Sequence, residues 1–212
     1  MQSRSLDRIR RTLVLLPGLL LTLALAACDQ GMADGVGSSE ARPYDGVIDS
    51  IFPIEEEIRR FREGMAEVSE LRSGHSSREA LVDGFLAALT AADTVGVLGL
   101  ALTREEFAWL YYPHTMYTSP PYELSPALVW FQQQNRSSVG LQRLLRRYAG
   151  QPLHTTGFNC PDEGEAFGEG RIWHGCRVTG QLPTGESVSE QLFGSILEVG
   201  GRYKFVSWSN EL

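Results

Sequence analysis

Residues 192–208 read Leu-Phe-Gly-Ser-Ile-Leu-Glu-Val-Gly-Gly-Arg-Tyr-Lys-Phe-Val-Ser-Trp, two β-rich runs on either side of Gly200-Gly201. A two-residue Gly-Gly link adopts the positive φ angles of tight hairpin turns, whose twist matches that of the flanking strands. The turn sets a register in which Leu197 lies opposite Lys204, Ile196 opposite Phe205 and Phe193 opposite Trp208. Residues 153–160, 172–181 and 188–199 are further β-rich runs separated by Gly, Pro and Asp, so the chain after Gly150 reads as an antiparallel sheet.

Before Gly150 the apolar period is helical. Ile54, Ile58, Phe61, Met65 and Val68 step by four and three along one stripe, with Glu55/Arg59 and Glu56/Arg60 available as i,i+4 pairs on the wet face. This helix over 54–68 either packs on the domain or docks a partner protein. Ser76 and Glu79 have capping-box spacing ahead of Leu81, Val82, Phe85, Leu86 and Leu89, and Thr103 and Glu106 repeat it ahead of Phe107, Leu110 and Tyr111. Pro113 stops that run. Between the two, residues 93–102 form a short helix or turn. Ser125-Pro126 opens a last helix that carries Val139, Leu141, Leu144, Leu145 and Tyr148 and ends at Gly150. Helices followed by an antiparallel sheet define an α+β domain, placed here at residues 49–212.

The helix Leu81-Val82-Asp83-Gly84-Phe85-Leu86-Ala87-Ala88-Leu89, with Asp93 just after it and the terminal hairpin, resembles the NTF2-like superfamily over residues 76–209. That resemblance implies helices wrapped on a curved antiparallel sheet to make a cone with a pocket, used by isomerases, dehydratases and many binding or structural domains. The Pro- and Tyr-rich stretch and helix of residues 113–150 depart from it, since the family has shorter connections there.

The N-terminus reads as an address. Arg4, Arg8, Arg10 and Arg11 precede an apolar run that ends Leu25-Ala26-Ala27-Cys28, the order of a secretory signal and too short for a comfortable membrane span. Leu-Ala-Ala-Cys resembles the bacterial lipobox. The resemblance implies removal of residues 1–27, diacylglycerol on the Cys28 sulfur and acylation of the new amine. Each acyl chain contributes about 0.8 kcal/mol per buried CH₂, so the protein is expected to be extracytoplasmic and lipid-anchored to a bacterial membrane. Asp29 resembles the inner-membrane retention signal of enterobacterial lipoproteins. Residues 28–48, rich in Gly, Asp, Ser and Ala, form a flexible tether.

The chain has 212 residues and a formal charge of −7. Residues 1–27 hold four of its nineteen Lys/Arg and one of its 26 acids, which leaves the remainder at −10. So acidic a protein is no sequence-independent nucleic-acid binder. Gly-x-Ser-x-Gly, P-loop and Gly-x-Gly-x-x-Gly patterns are absent, and no cofactor is implied. Of the three cysteines, Cys28 is the lipid site. Cys160 and Cys176, on neighbouring strands of an exported domain, are expected to form a disulfide. The competing reading, a metal site from Cys160, His174 and Cys176, has no recognised zinc spacing and no fourth ligand.

Candidate functional residues fall into three sets. Asp83, Asp93, Glu106 and His114 are the titratable groups available to a small isomerase or dehydratase. Trp109, Tyr112, His114, Tyr117, Tyr122 and Trp130 belong to a dense aromatic stretch with interleaved prolines, which either lines a ligand site or covers the core. Arg143, Arg146 and Arg147 complement a helix C-terminus or form an anion site. The function expected is a membrane-tethered binding or envelope interaction module that meets a small ligand or an envelope protein. A pocket enzyme and a structural accessory docking through the 54–68 helix are the alternatives.

Overall fold

The computed structural model describes residues 52–161 and 163–212, and the leader 1–27, Cys28 and the tether 28–48 lie outside them. The described chain is α+β. Its helices are α1 (Ile54–Arg62), α2 (Arg78–Thr90), α3 (Thr94–Gly99), α4 (Arg104–Glu106) and α5 (Pro126–Tyr148). The strands are β1 (His154–Asn159), β2 (Glu165–Phe167), β3 (Gly170–Trp173), β4 (Arg177–Gln181), β5 (Ser187–Glu190), β6 (Ile196–Val199) and β7 (Arg202–Phe205). They form two antiparallel sheets, ordered β1-β4-β5 and β2-β3-β6-β7. No described helix is long and apolar enough to cross a membrane.

The terminal hairpin has the register that the Gly-Gly turn requires. Ile196 pairs with Phe205 and Leu197 with Lys204, and φ is +62° at Gly200 and +74° at Gly201. Hydrogen bonds from Gly194 N to Ser207 O (2.9 Å) and Val206 N to Ser195 O (2.8 Å) carry the same register towards Phe193 and Trp208. Two longer runs are corrected. Residues 172–181 are not one strand but β3 and β4 in different sheets, and 188–199 divides in the same way into β5 and β6. The chain changes sheet at 174–176 and at 191–195, where its β-rich composition continues but its pairing does not.

Helix boundaries shift for local reasons. The 54–68 helix ends at Arg62, because Gly64 turns the chain with φ +76°. Met65 and Val68 still reach the core without belonging to the helix. α1 packs on the domain, with Phe61 edge-on to Phe107 (5.9 Å) and the Arg62 guanidinium donating to Ala108 O (2.9 and 3.1 Å). On its wet face Glu56, rather than Glu55, takes both Arg59 and Arg60, and these two cations pull its carboxyl down to about 2. The N-cap of α2 is Ser77, one residue after Ser76, with Oγ accepting from Ala80 N. α4 does not simply stop at Pro113. It runs into a π-helical stretch at Phe107–Tyr111 and a 3₁₀ turn at Tyr112–His114 that accommodates the proline.

The main core fills the space between α2, α5 and the sheets with Leu81, Phe85, Leu144, Tyr148, Phe193, Phe205 and Trp208. Phe85 stacks on Trp208 and meets Phe193 and Phe205 edge-on, at 5.5–5.8 Å. The hairpin's other face is buried as well, against Leu71 and Leu102. Lys204 points there and meets Glu106 at 2.9 and 3.1 Å, with side chains 3% and 0% exposed. Glu106 also accepts from Arg72 N (2.7 Å) and Thr103 N (2.8 Å), the second bond closing the capping box anticipated at Thr103. A buried charge persists when it is paired and its remaining lone pairs are used, and both conditions hold.

Cys160 and Cys176 are disulfide-bonded. They sit one step beyond the Asn159–Arg177 pair of β1 and β4, so the ladder brings them together. Both sulfurs are therefore covalently occupied and are not thiolate ligands for a metal beside His174. No group of three or more His, Cys, Asp or Glu that could hold a metal ion occurs among the described residues.

Candidate functional site

The four titratable candidates do not converge. Asp83 is exposed on α2. Asp93 is the N-cap of α3, its Oδ1 accepting from Gly96 N at 2.9 Å. Glu106 is spent on Lys204 and two backbone amides. His114 is exposed and meets the edge of Phe167 at 5.8 Å. A catalytic acid or base needs a substrate-facing proton site, and none of the four lines the groove described below.

The aromatic stretch divides between core and surface. Tyr112 is fully buried and donates its hydroxyl to Leu124 O at 2.5 Å. Trp130 packs on Phe107 at 4.9 Å between ring centres. Trp109 lies under the Arg62 guanidinium, 3.9 Å away. Tyr122 is 47% exposed and meets Tyr117 edge-on. Of the six, Tyr117 alone lines the groove between α5 and the links that follow β3 and β5, where its companion is Tyr111.

That groove has a volume of about 290 Å³ and is assembled from five separate parts of the chain. Tyr111 and Tyr117 come from the turns after α4, and Gln132, Gln133 and Arg136 from α5. His174 lies in the β3–β4 link and Ser195 in the β5–β6 link, and Val206, Ser207 and Ser209 follow β7. α5 holds its wall in place. Gln133 Nε2 donates to Val206 O (2.9 Å), Ser137 Oγ accepts from Trp208 N (2.8 Å) and Asn210 Nδ2 donates to Gly140 O (2.9 Å). Tyr111 stacks on Phe167 at 5.3 Å, and burial, with Tyr117 as the smaller cause, pushes its phenol up to about 12. It is therefore a neutral ring at ordinary pH.

His174 Nδ1 and Ser195 Oγ are 2.7 Å apart. Their meeting follows from the sheet, because Trp173 pairs with Ile196 and the next step of that ladder sets His174 against Ser195. A hydroxyl this close to an imidazole has the spacing of a nucleophile and its base. Among the described residues no acid is hydrogen-bonded to the far ring nitrogen, and the pair holds one donor and one acceptor against each other. Sequence reasoning considered His174 only beside the two cysteines and did not single out Ser195, Arg136, Gln132 or Gln133. The β3–β6 pairing was the signal that would have joined His174 to Ser195, and it is hidden by the sheet change at 174–176.

The arginine cluster also separates. Arg147 pairs with Glu190 (2.9 Å) and Glu186 (3.3 Å), and Arg146 Nε donates to Gln142 O at 3.3 Å. Arg143 lies apart from both, beside Val139 and Arg136 in a separate depression between α5 and residues 209–210. The three do not form one anion site.

Comparisons with protein-family models, with curated proteins and with solved structures each find no match.

Proposed function

We propose that this chain is an extracytoplasmic lipoprotein, held at a bacterial membrane by acyl chains on Cys28, and that its domain is an NTF2-like module which binds a small polar molecule in the groove between α5 and the His174–Ser195 pair. The observation that carries the binding reading is a contrast. The space between helices and sheets, where a pocket enzyme of this kind would keep its substrate, is filled by Phe85, Phe193, Phe205 and Trp208. The groove beside it is open and offers two tyrosines, amides and hydroxyls, the mixture of flat apolar surface and placed polar groups that small-ligand sites use. The Cys160–Cys176 disulfide fits an oxidising compartment. The half-buried α1 spends Phe61 and Arg62 within the domain, which weakens the structural-accessory alternative.

Two measurements test the reading. Intact mass of the membrane-extracted protein should begin at an acylated Cys28, and a mass that includes Met1 would remove the tether. A library of small polar compounds should contain members that raise the melting temperature of the wild type and not that of Ser195→Trp, whose indole fills the groove. Hits shared equally by both proteins, or no hits at all, count against binding there.

A further inference from the structure

We infer that the groove selects a small organic anion, with a carboxylate or phosphate near Arg136 and a flat body against Tyr111 and Tyr117; the inference rests on the groove being the binding site. The first support is the distribution of charge. The chain has 26 acids against 19 Lys/Arg, yet no Asp or Glu lines the groove. Arg59, Arg60, Arg147 and Arg177 each meet a carboxylate, and other arginines that meet none among the described residues, such as Arg143, Arg171 and Arg202, lie outside the groove. Arg136 lines the groove and has no acidic partner among the described residues. An unpaired guanidinium in a concave wall free of carboxylates attracts an anion, and its planar donors suit carboxylate and phosphate oxygens. Glu211, whose backbone N reaches Gln191 at the rim, directs its carboxylate to Arg177 at 3.6 Å.

The second support is the supply of neutral donors. With its proton on Nδ1, His174 donates to Ser195 Oγ, and the Ser195 hydroxyl proton is then free to point at a ligand oxygen. A guanidinium and a hydroxyl lining one groove, with no Asp or Glu among the lining residues, favour an anion over its neutral isostere, because the isostere forfeits the charge-assisted bond to the guanidinium.

Isotope-labelled full-length mature protein titrated with benzoate, phenyl phosphate and the neutral isostere benzamide tests this by heteronuclear NMR. Benzoate and phenyl phosphate should shift the backbone amides of Gln132, Arg136 and Ser195 and bind at least tenfold more tightly than benzamide. Arg136→Gln should abolish that preference at an unchanged melting temperature, while Arg143→Gln, which removes an equal charge outside the groove, should preserve it. Equal binding of benzoate and benzamide, or an unaltered preference in Arg136→Gln, overturns anion selection and leaves the groove standing as a site. Failure of every probe to shift these amides also overturns it. The groove reading itself falls separately, on the Ser195→Trp comparison.

Discussion

Gly140→Ala separates two opposing effects on one helix. Alanine is the better helix former by about 1 kcal/mol, so propensity alone makes the change stabilising in the interior of α5. The structure reverses the sign. A Cβ on Gly140 would fall well inside van der Waals contact with the Trp208 carbonyl oxygen, 2.8 Å from the Trp208 carbonyl carbon and 3.3 Å from Asn210 Nδ2. Backbone atoms cannot rotate away, so α5 must separate from the segment after β7. That movement loosens three hydrogen bonds, Gln133 to Val206, Trp208 to Ser137 and Asn210 to Gly140, each contributing roughly 1 kcal/mol net. It also disturbs the stacking of buried Trp208 on Phe85. Set against the propensity gain, the net loss is about 2–4 kcal/mol, or roughly 5–15 °C in Tm for a domain of this size. Gly99→Ala is the control, because a Cβ there, on α3, meets nothing within 4 Å. Thermal melts of both variants beside wild type decide the matter. Gly140→Ala melting at or above wild type would refute the close approach of α5 to Trp208.

Three further outcomes are expected. Burial holds the phenol protons of Tyr111 and Tyr112 to about 12, with Tyr117 and Glu57 as the respective secondary causes, and burial followed by the bond to Glu190 pushes Tyr148 higher. Unfolded tyrosines release their protons near the ordinary 10.0, so the stability these groups carry is complete below that pH and is lost as pH rises through about 12. Urea midpoints should therefore fall across that window, and phenolate absorbance in urea should appear at lower pH than in the folded protein; coincident curves would contradict the burial. Replacing Cys160 and Cys176 by alanine opens a link between residues 16 apart and should cost about 3 kcal/mol, read as a lower denaturant midpoint. Two free thiols at these positions in denatured, unreduced protein would count against the bond. Tyr112→Ala should cost about 3–5 kcal/mol, whereas Tyr122→Ala, at a residue 47% exposed, should stay within about 0.5 kcal/mol, and similar melts for the two would contradict their assignment to core and surface.

What could be read in the sequence was whatever one local rule determines. Gly200-Gly201 dictates its own turn and hence the pairing of Ile196 with Phe205, and Thr103 and Glu106 close a capping box with no help from the rest of the fold. The stripe from Ile54 to Val68 has a sound helical period, yet Gly64 breaks the helix while Val68 still finds the core, because periodicity records burial and not the path between buried residues. Glu106 looked available for chemistry until Lys204, 98 positions away, met it. The groove was the least legible part. Tyr111, Arg136, His174 and Ser195 share no spacing, and they meet because α5 is fastened along the segment after β7 and the chain changes sheet twice beside it.

The chain contains one lysine, Lys204, and the fold closes it off with Glu106. If the Cys28 amine is acylated as proposed, the native protein presents no primary amine to solvent. Succinimidyl dyes, formaldehyde and lysine-directed cross-linkers will then pass over it in intact cells, so neighbour maps built on amine chemistry will under-represent it whatever it touches. The same property makes a clean reporter. Any amine label that the purified, acylated protein does take up must enter at Lys204, and its rate of uptake times the opening of the contacts between β7 and the α4 segment, without a mutation or an introduced probe.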